Sequence, residues 1–248
     1  MKKVRILALL IAVLMICTVT AASAQTIRWQ KGPVRANNRT LGNNSFRVIE
    51  NGETVSFQMF PSPWGLYEKT NDGYFEYSDI VFNTKNTVKV SSSASWVTID
   101  YIGATPIIYF DGNTTQKNRT AKLTVTASGY KATIKLTQLG KDEIKSVKRS
   151  GKKVTVKLKP GKAAKHAMWV EQYWWDEEEE ANSYKYLIEG IITKKTITFN
   201  VKAGYNYYIN YGPAFVMGEN WWSSNSTSWC GFYVESVSGS ESYPVDNY

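Results

Sequence analysis

The chain has 248 residues, 14% of them aromatic, and a formal net charge of +9 at pH 7. It contains only two cysteines and a single histidine, His166, which excludes a disulfide framework and argues against a His-based metal cluster or a Ser-His-Asp triad. Abundant aromatic residues with many Gly, Asn, Ser and Thr are typical of all-β proteins outside the cytoplasm.

The first 24 residues have the pattern of a secretory signal peptide. Three basic residues within the first five positions precede an uncharged apolar run over 6–19, which is too short for the about 20 apolar residues of a membrane span. Ala22-Ser23-Ala24 is a small-x-small cleavage site, so we expect a mature chain that begins at Gln25, carries a net charge of +6 because those three basic residues leave, and has no membrane span. Lipidation of Cys17 is disfavoured because Ile16, rather than a small residue, precedes it. We expect an exported protein, located in the periplasm, at the cell surface or outside the cell.

Short alternating segments separated by turn residues follow position 25. The clearest pair covers 121–127 and 131–138, where apolar residues alternate with Lys and Thr, as in a hairpin with one buried face. Four dipeptides are turn signals that predict hairpins: Asn51-Gly52, Asp72-Gly73, Asp111-Gly112 and Ser128-Gly129.

The alternation stops over 139–143, where charged residues appear, and this segment is predicted to be an exposed linker that proteases cut first. The domains expected are therefore 25–140 and 141–238, followed by a polar, frayed tail over 239–248. Within the later domain, strands are predicted over 196–201, 205–211 and 231–237. The segment 176–188 has helix-like spacing and predicts one short helix.

Three segments of the earlier domain carry a resemblance to a known family. They are Val88–Ile99 with its Ser95-Trp96 pair, Asn118–Val125, and Thr133–Gly140 with its Gln-x-Gly ending. In this order the segments resemble the BACON domain, a family of Bacteroidetes. Trp96, flanked by apolar strand residues, is expected in the core, whereas Trp64 in a Pro-Trp-Gly loop suits either a core or a surface role.

The later domain is similar to fibronectin type III domains over 196–211. In such domains an apolar residue, a glycine and a tyrosine form a corner, and the matching residues are Val201, Gly204 and Tyr207. The two resemblances imply an all-β fold of two consecutive immunoglobulin-like β-sandwich modules. The BACON resemblance also implies carbohydrate or mucin binding beside polysaccharide-degrading proteins, without catalytic residues to carry over.

Tryptophans are the candidate ligand-binding residues, because six of the nine fall after position 140. Adjacent residues of a strand point to opposite faces, so one member of each adjacent pair is expected outside the core. Exposed aromatic rings stack on sugar rings, and neighbouring Asn and Ser side chains bind hydroxyl groups. The predicted ligand-binding residues are Trp174, Trp175, Trp221, Trp222, Asn220 and Asn225.

The residue inventory favours a non-catalytic binding protein whose partner is a polysaccharide or a glycoprotein glycan. The alternative is a structural or protein-interaction component with a protein partner in the envelope or an extracellular assembly. Residues 176–180 form an acidic run without the spacing of a calcium loop and are expected to be a solvated loop. We expect no metal, no cofactor and no nucleic-acid partner, and His166, which lies among lysines, is expected to be exposed.

Overall fold

The computed structural model describes residues 33–40, 43–83, 86–219 and 221–247. The predicted signal peptide over 1–24, with Cys17, and the expected mature terminus Gln25 lie outside the described residues, as does Asn220. Residues 33–248 form one compact unit.

Every regular element of the described residues is a β-strand, which confirms the prediction of an all-β fold. The strands up to residue 140 are β1 (Val34–Thr40), β2 (Asn43–Val48), β3 (Thr54–Met59), β4 (Leu66–Lys69), β5 (Phe75–Phe82), β6 (Lys89–Ser92), β7 (Val97–Ile102), β8 (Thr105–Phe110), β9 (Arg119–Ala127) and β10 (Tyr130–Gln138). The strands after residue 140 are β11 (Glu143–Ser150), β12 (Lys153–Lys159), β13 (Lys165–Asp176), β14 (Ala181–Ile192), β15 (Thr196–Asn200), β16 (Tyr205–Gly218), β17 (Trp221–Ser224), β18 (Ser228–Val234), β19 (Ser240–Tyr243) and β20 (Asp246–Asn247).

The earlier half contains an eight-stranded sheet in the order β2-β1-β5-β4-β3-β10-β9-β6 and a separate hairpin of β7 and β8. The predicted pair of strands is β9 and β10, and its alternating apolar residues are buried as expected: Leu123, Val125, Ile134 and Leu136 are fully covered. Trp96 is also buried and belongs to the same core, which confirms its assignment.

Two of the four predicted hairpins are wrong, those at Asn51-Gly52 and Asp111-Gly112. The strands on either side of each dipeptide do not pair with each other in the described sheets. Instead β3 lies between β4 and β10 and runs parallel to β10. The Asn51-Gly52 turn binds the start of β10, because Gly52 donates its backbone N–H to Lys131 O at 2.7 Å and Asn51 accepts the N–H of Lys131.

The later half is a two-sheet sandwich. One sheet has the order β15-β12-β11-β19, and the other has the order β14-β13-β16-β18-β20 with β17 paired to β16. A single core lies between the sheets, since Val147 and Val156 of the first are buried with Val170 and Ile209 of the second. The first, second and fifth strands of this half (β11, β12 and β15) share one sheet, and the third, fourth and sixth (β13, β14 and β16) share the other. This is the Greek-key arrangement of immunoglobulin-like sandwiches.

The predicted tyrosine corner is present. Tyr207 is buried at the start of β16, and its hydroxyl accepts the backbone N–H of Lys202 at 2.8 Å. Burial raises the pKa of Tyr207, although the backbone hydrogen bond from Lys202 opposes this shift. Ile209 and Tyr211 point into the same core, as the alternation over 205–211 predicted.

The predicted helix over 176–188 is wrong. Residues 177–180 form the exposed turn of a hairpin that joins β13 to β14, and Asp176 Oδ1 accepts the backbone N–H of Glu178 at 3.1 Å. A register shift opposite Val170 places the adjacent residues Leu187 and Ile188 against the core. This bulge produces a spacing of apolar residues that resembles a helix in the sequence. The expected solvated loop is confirmed for the acidic run.

The frayed tail expected over 239–248 is also wrong for residues 240–247. β19 pairs with β11, and the ring of Tyr243 stacks on Phe232 with centroids 4.0 Å apart. Arg149, which is almost wholly buried, forms a 2.9 Å ion pair with Glu241 and donates to the Tyr243 hydroxyl. These contacts hold the polar strand on the sheet although its sequence has no apolar alternation.

The segment 139–143 is not an exposed linker, because Leu139, Gly140 and Asp142 are buried. Asp142 Oδ1 accepts the N–H of Gly161 at 2.6 Å, and its Oδ2 lies 2.7 Å from Nδ1 of His166. His166 is therefore partly buried beside a carboxylate rather than exposed among lysines. The predicted boundary at 140/141 falls between β10 and β11, and the division into two domains stays a prediction.

An aromatic cluster joins the two halves. The ring of Phe215 from β16 lies 4.5–4.6 Å, between centroids, from the rings of Phe60, Tyr67 and Phe75 of the earlier half. The Tyr67 hydroxyl is 3.3 Å from Oγ of Ser223. The 14 residues of β16 extend past the core of the sandwich, which brings Phe215 to this junction.

Candidate functional site

The outer face of the sheet β14-β13-β16-β18 is rich in exposed aromatic side chains. Side chains of directly paired residues lie on the same face of a sheet, and Glu171 of β13 pairs with Tyr186 of β14 and with Tyr208 of β16. The next outward pair joins Tyr173 to Tyr184. We call Tyr173, Tyr184, Tyr186 and Tyr208 the tyrosine face.

The alternation of β13 creates this face. Met168 and Val170 point into the core, so Trp169, Glu171, Tyr173 and Trp175 point outward. Successive outward residues are about 7 Å apart along a strand, so Trp169 and Trp175 stand about 20 Å apart at the two ends of the row. The rings of Tyr173 and Tyr184 stack with centroids 5.6 Å apart, and Tyr208 meets Tyr173 edge-on at 5.1 Å.

A shallow groove of about 420 Å³ crosses the tyrosine face. Its lining combines two aromatic rings, three side-chain amides and one carboxylate: Tyr173, Tyr208, Asn182, Asn206, Asn210 and Glu171. Asn210 accepts a hydrogen bond from Ser226 at 3.3 Å. The side chains of Asn182 and Asn206 are exposed and bind no other side chain in the described part of the chain. The groove therefore offers ring faces together with free amide donors and acceptors.

Glu171 is hydrogen-bonded within this groove. The Tyr173 hydroxyl donates to Glu171 Oε2 at 2.6 Å, and this bond, with burial and the nearby negative charge, raises the pKa of Tyr173 to about 12. Burial and the charge of Glu171 also raise the pKa of Tyr186. Both phenols are therefore neutral at physiological pH, and Glu171 supplies the negative charge of the groove.

Gly231 of β18 leaves room for the ring of Tyr208. A Cβ atom at position 231 would lie 3.1 Å from Cε1 of Tyr208 and 3.0 Å from Cζ3 of Trp229. The ring of Tyr208 thus lies over the backbone of the neighbouring strand β18, beside the ring of Trp229 from that same strand. A side chain at Gly231 would displace one of these two rings.

The predicted tryptophans divide between this face and the interior. Trp175 is 60% exposed at one end of the outward row, opposite Asn182. Trp174 has the opposite orientation and meets Tyr205 edge-on at 5.9 Å, beside the core. The ring of Trp222 lies 6.3 Å from that of Trp169, at the other end of the row.

The remaining predicted residues contribute less to this picture. Trp221 lies in β17, and its side chain is outside the described residues, as is Asn220. Asn225 is half-buried in the segment that follows β17. Its backbone carbonyl oxygen would lie 1.7 Å from a Cβ at position 212, so only glycine fits there. Trp64 is 76% exposed in a loop of the earlier half.

The sequence interpretation did not include the four tyrosines or Glu171. The signal was present in the alternation, because assigning Tyr207 and Ile209 to the core places Asn206, Tyr208 and Asn210 on the outer side. The outward residues of β13, β14 and β16 form one surface because these three strands are neighbours in the sheet. The sequence pattern does not reveal this order.

No group of three or more His, Cys, Asp or Glu side chains in the described ranges is arranged to hold a metal ion. Within the same ranges, no helix is long and apolar enough to cross a membrane.

The strand order and the tyrosine corner define the later half as an immunoglobulin-like β-sandwich, the class that includes fibronectin type III domains. Neither protein-family models nor curated proteins match the chain. Among solved structures, the chain is similar to the FN1–FN3 domains of chicken CNTN1, with 9% identity and a TM-score of 0.28. The match covers 80% of this chain and 66% of that one, slightly less than two thirds of its length.

Proposed function

We propose that this protein is an exported, non-catalytic carbohydrate-binding protein and that the tyrosine face is its glycan-binding surface. One observation carries the proposal: the groove places the rings of Tyr173 and Tyr208 beside the amides of Asn182, Asn206 and Asn210. Sugar rings have apolar faces that stack on aromatic rings and hydroxyl groups that bind amides.

The exposure of these rings supports a binding role. Tyr184, Tyr186 and Tyr208 are 55%, 45% and 40% exposed, and Trp175 adds a fourth ring at the end of the row. Contiguous exposed aromatic surface of this kind marks interaction sites. The row extends about 20 Å along β13, which suits an oligosaccharide better than one monosaccharide. Because the groove is open and shallow, we expect binding in the micromolar to millimolar range, about 4 to 8 kcal/mol.

A glycan array with the chain from Gln25 onward tests the proposal, with Tyr208→Ala and Tyr184→Ala as site variants. Each variant is expected to weaken binding about fivefold to tenfold, because stacking of one ring contributes about 1 to 1.5 kcal/mol. The matched control is Tyr109→Ala, since Tyr109 of β8 is 53% exposed but lies in the earlier half. All three variants should keep the Tm of the wild type, because exposed residues contribute little to stability.

Two results contradict the proposal. Wild-type protein that binds no glycan on the array would remove it altogether. Binding that survives both Tyr184→Ala and Tyr208→Ala, and is lost in Tyr109→Ala, would place the ligand on the earlier half.

The earlier half fits a BACON-like module in this proposal. Residues of its three matching segments contact one another: the guanidinium of Arg119 lies 4.6 Å from the ring centroid of Trp96 and donates from Nε to Gln138 at 2.8 Å. Asn118 accepts the N–H of Gly140 at 2.9 Å. These contacts are structural, so we expect Arg119→Ala to lower the Tm and to leave glycan binding intact.

The alternative is that the same face docks a protein of the envelope or of an extracellular assembly. The feature that favours it is β14, a 12-residue strand at the edge of its sheet with one side open to strand addition. Strand addition at β14 should survive Tyr208→Ala, because Tyr208 lies on β16, whereas glycan binding should weaken in this variant. Co-purification from cell envelopes with wild-type and Tyr208→Ala protein separates the two functions.

A further inference from the structure

The tyrosine face is acidic along the groove. Glu171 lies within the groove, and Glu189 lies on the same face opposite Trp169. Lys185 pairs with Gln172, whose side chain points away from this face. Because paired residues share a face, the ammonium group of Lys185 also points away from the groove. The charged groups at the groove are therefore the carboxylates of Glu171 and Glu189, although the whole chain is basic.

Aromatic rings surround the Glu171 carboxylate. Tyr186 and Tyr208 are its direct neighbours on the two adjacent strands, and Tyr173 is the next outward residue of its own strand. The faces of aromatic rings carry negative potential and attract cations. A carboxylate has about four lone-pair positions, and the hydrogen bonds from Tyr173 and Tyr186 use two of them. Glu171 therefore keeps acceptor capacity that faces the groove.

We propose that the groove selects glycans that carry a protonated amino group, with the ammonium beside Glu171 and against the faces of Tyr186 and Tyr208. This inference rests on the proposed glycan-binding function and specifies its ligand class. A neutral sugar gains only stacking and hydrogen bonds in the same groove. A uronic acid or a sulfated sugar is repelled by Glu171 and Glu189.

Calorimetric titration with two matched probes tests this selectivity. The probes are a chitosan hexasaccharide, whose free amines are protonated in mildly acidic buffer, and its fully N-acetylated counterpart, which has the same backbone and no charge, and both are titrated in that buffer. Wild-type protein should bind the chitosan probe about fivefold more tightly at low salt, the factor expected of one exposed cation–π contact and ion pair. The preference should shrink as salt is added, because screening weakens exposed charge pairs.

Glu171→Gln identifies the carboxylate that is responsible. Gln keeps the size of the side chain and can still accept the hydrogen bond of Tyr173, so this variant should lose the preference and bind both probes equally. Glu177→Gln is the matched control, because Glu177 is exposed in the hairpin turn outside the groove lining. This control should keep the wild-type preference.

Several results would overturn the inference. Equal binding of the two probes by wild-type protein, no binding of either probe, or a preference that persists in Glu171→Gln would each reject selection by charge at this site. These results differ from a failure of the proposed function, in which no glycan on the array binds the wild-type protein. A preference that does not respond to salt would also reject the ion-pair mechanism, whether or not the variant folds.

Discussion

Replacing Phe215 with alanine tests how strongly the two halves of the chain are coupled. Phe215 is 2% exposed, and its ring lies within 4.6 Å, between centroids, of Phe60, Tyr67 and Phe75. All three partner rings belong to the earlier half, whereas Phe215 belongs to β16 of the later half. The substitution therefore removes contacts at the junction more than contacts inside either core.

Truncation of a buried Phe to Ala costs about 3 to 5 kcal/mol. The free energy of unfolding of a typical protein is about 5 to 15 kcal/mol, so this loss is a large fraction of the total. For a chain of this size, each kcal/mol lowers the Tm by about 2 to 4 °C. We expect the transition of the wild-type protein to fall by about 6 to 20 °C and to separate into two steps, because the halves lose their main apolar contact.

Calorimetry and limited proteolysis of the chain from Gln25 onward measure this effect. The wild type should unfold in one transition and resist cleavage over 139–143, whereas Phe215→Ala should become cleavable there. Tyr233→Ala is the control, because Tyr233 is a 54% exposed aromatic residue of the same half and should change stability by less than about 0.5 kcal/mol. The coupling would be refuted by two separate transitions in the wild type. It would also be refuted by a Tm of Phe215→Ala that lies within about 2 °C of the wild-type Tm.

Three further predictions address single contacts. Gly231→Ala should shift the ring of Tyr208 and weaken glycan binding severalfold with little change in Tm, and unchanged binding would show that this ring position does not matter. Burial raises the pKa of Glu143, but the hydrogen bond and charge of Lys159 outweigh it, so the pKa is lowered below 4.5. The ion pair of Glu143 with Lys159 therefore stabilises the folded protein above pH 4.5, and this stabilisation is lost as the pH falls through the lowered pKa. The Tm difference between wild type and Glu143→Gln should accordingly shrink in acid. Tyr207→Phe should cost about 1 to 3 kcal/mol in urea unfolding, because a backbone N–H loses its partner, and a smaller loss would mean that water replaces the hydroxyl.

Alternation of apolar residues predicted much of the strand content and the direction of many side chains. It correctly assigned Leu123 and Ile134 to one core and Ile209 and Tyr211 to the other, because the period of two residues is a local property of the extended backbone. The corner at Tyr207 was also predictable, since its residues are close together in the sequence.

Local patterns failed where a distant partner decides the structure. The apolar spacing around Leu187 and Ile188 resembles a helix, but pairing with β13 and the bulge opposite Val170 produce it. The polar strand β19 has no local signal, because its order comes from the ion pair of Arg149 with Glu241 and from ring stacking.

The sequence by itself determined which residues of each strand share a side, and hence that Trp174 and Trp175 point in opposite directions. Only the tertiary structure decided which sides of different strands meet. The tyrosine face exists because β14, β13 and β16 are neighbours in one sheet, which brings Tyr184 and Tyr208 to the two sides of Tyr173. Strand order depends on the packing of segments far apart in the chain, so no local pattern around a single tyrosine could reveal that the three rings form one surface.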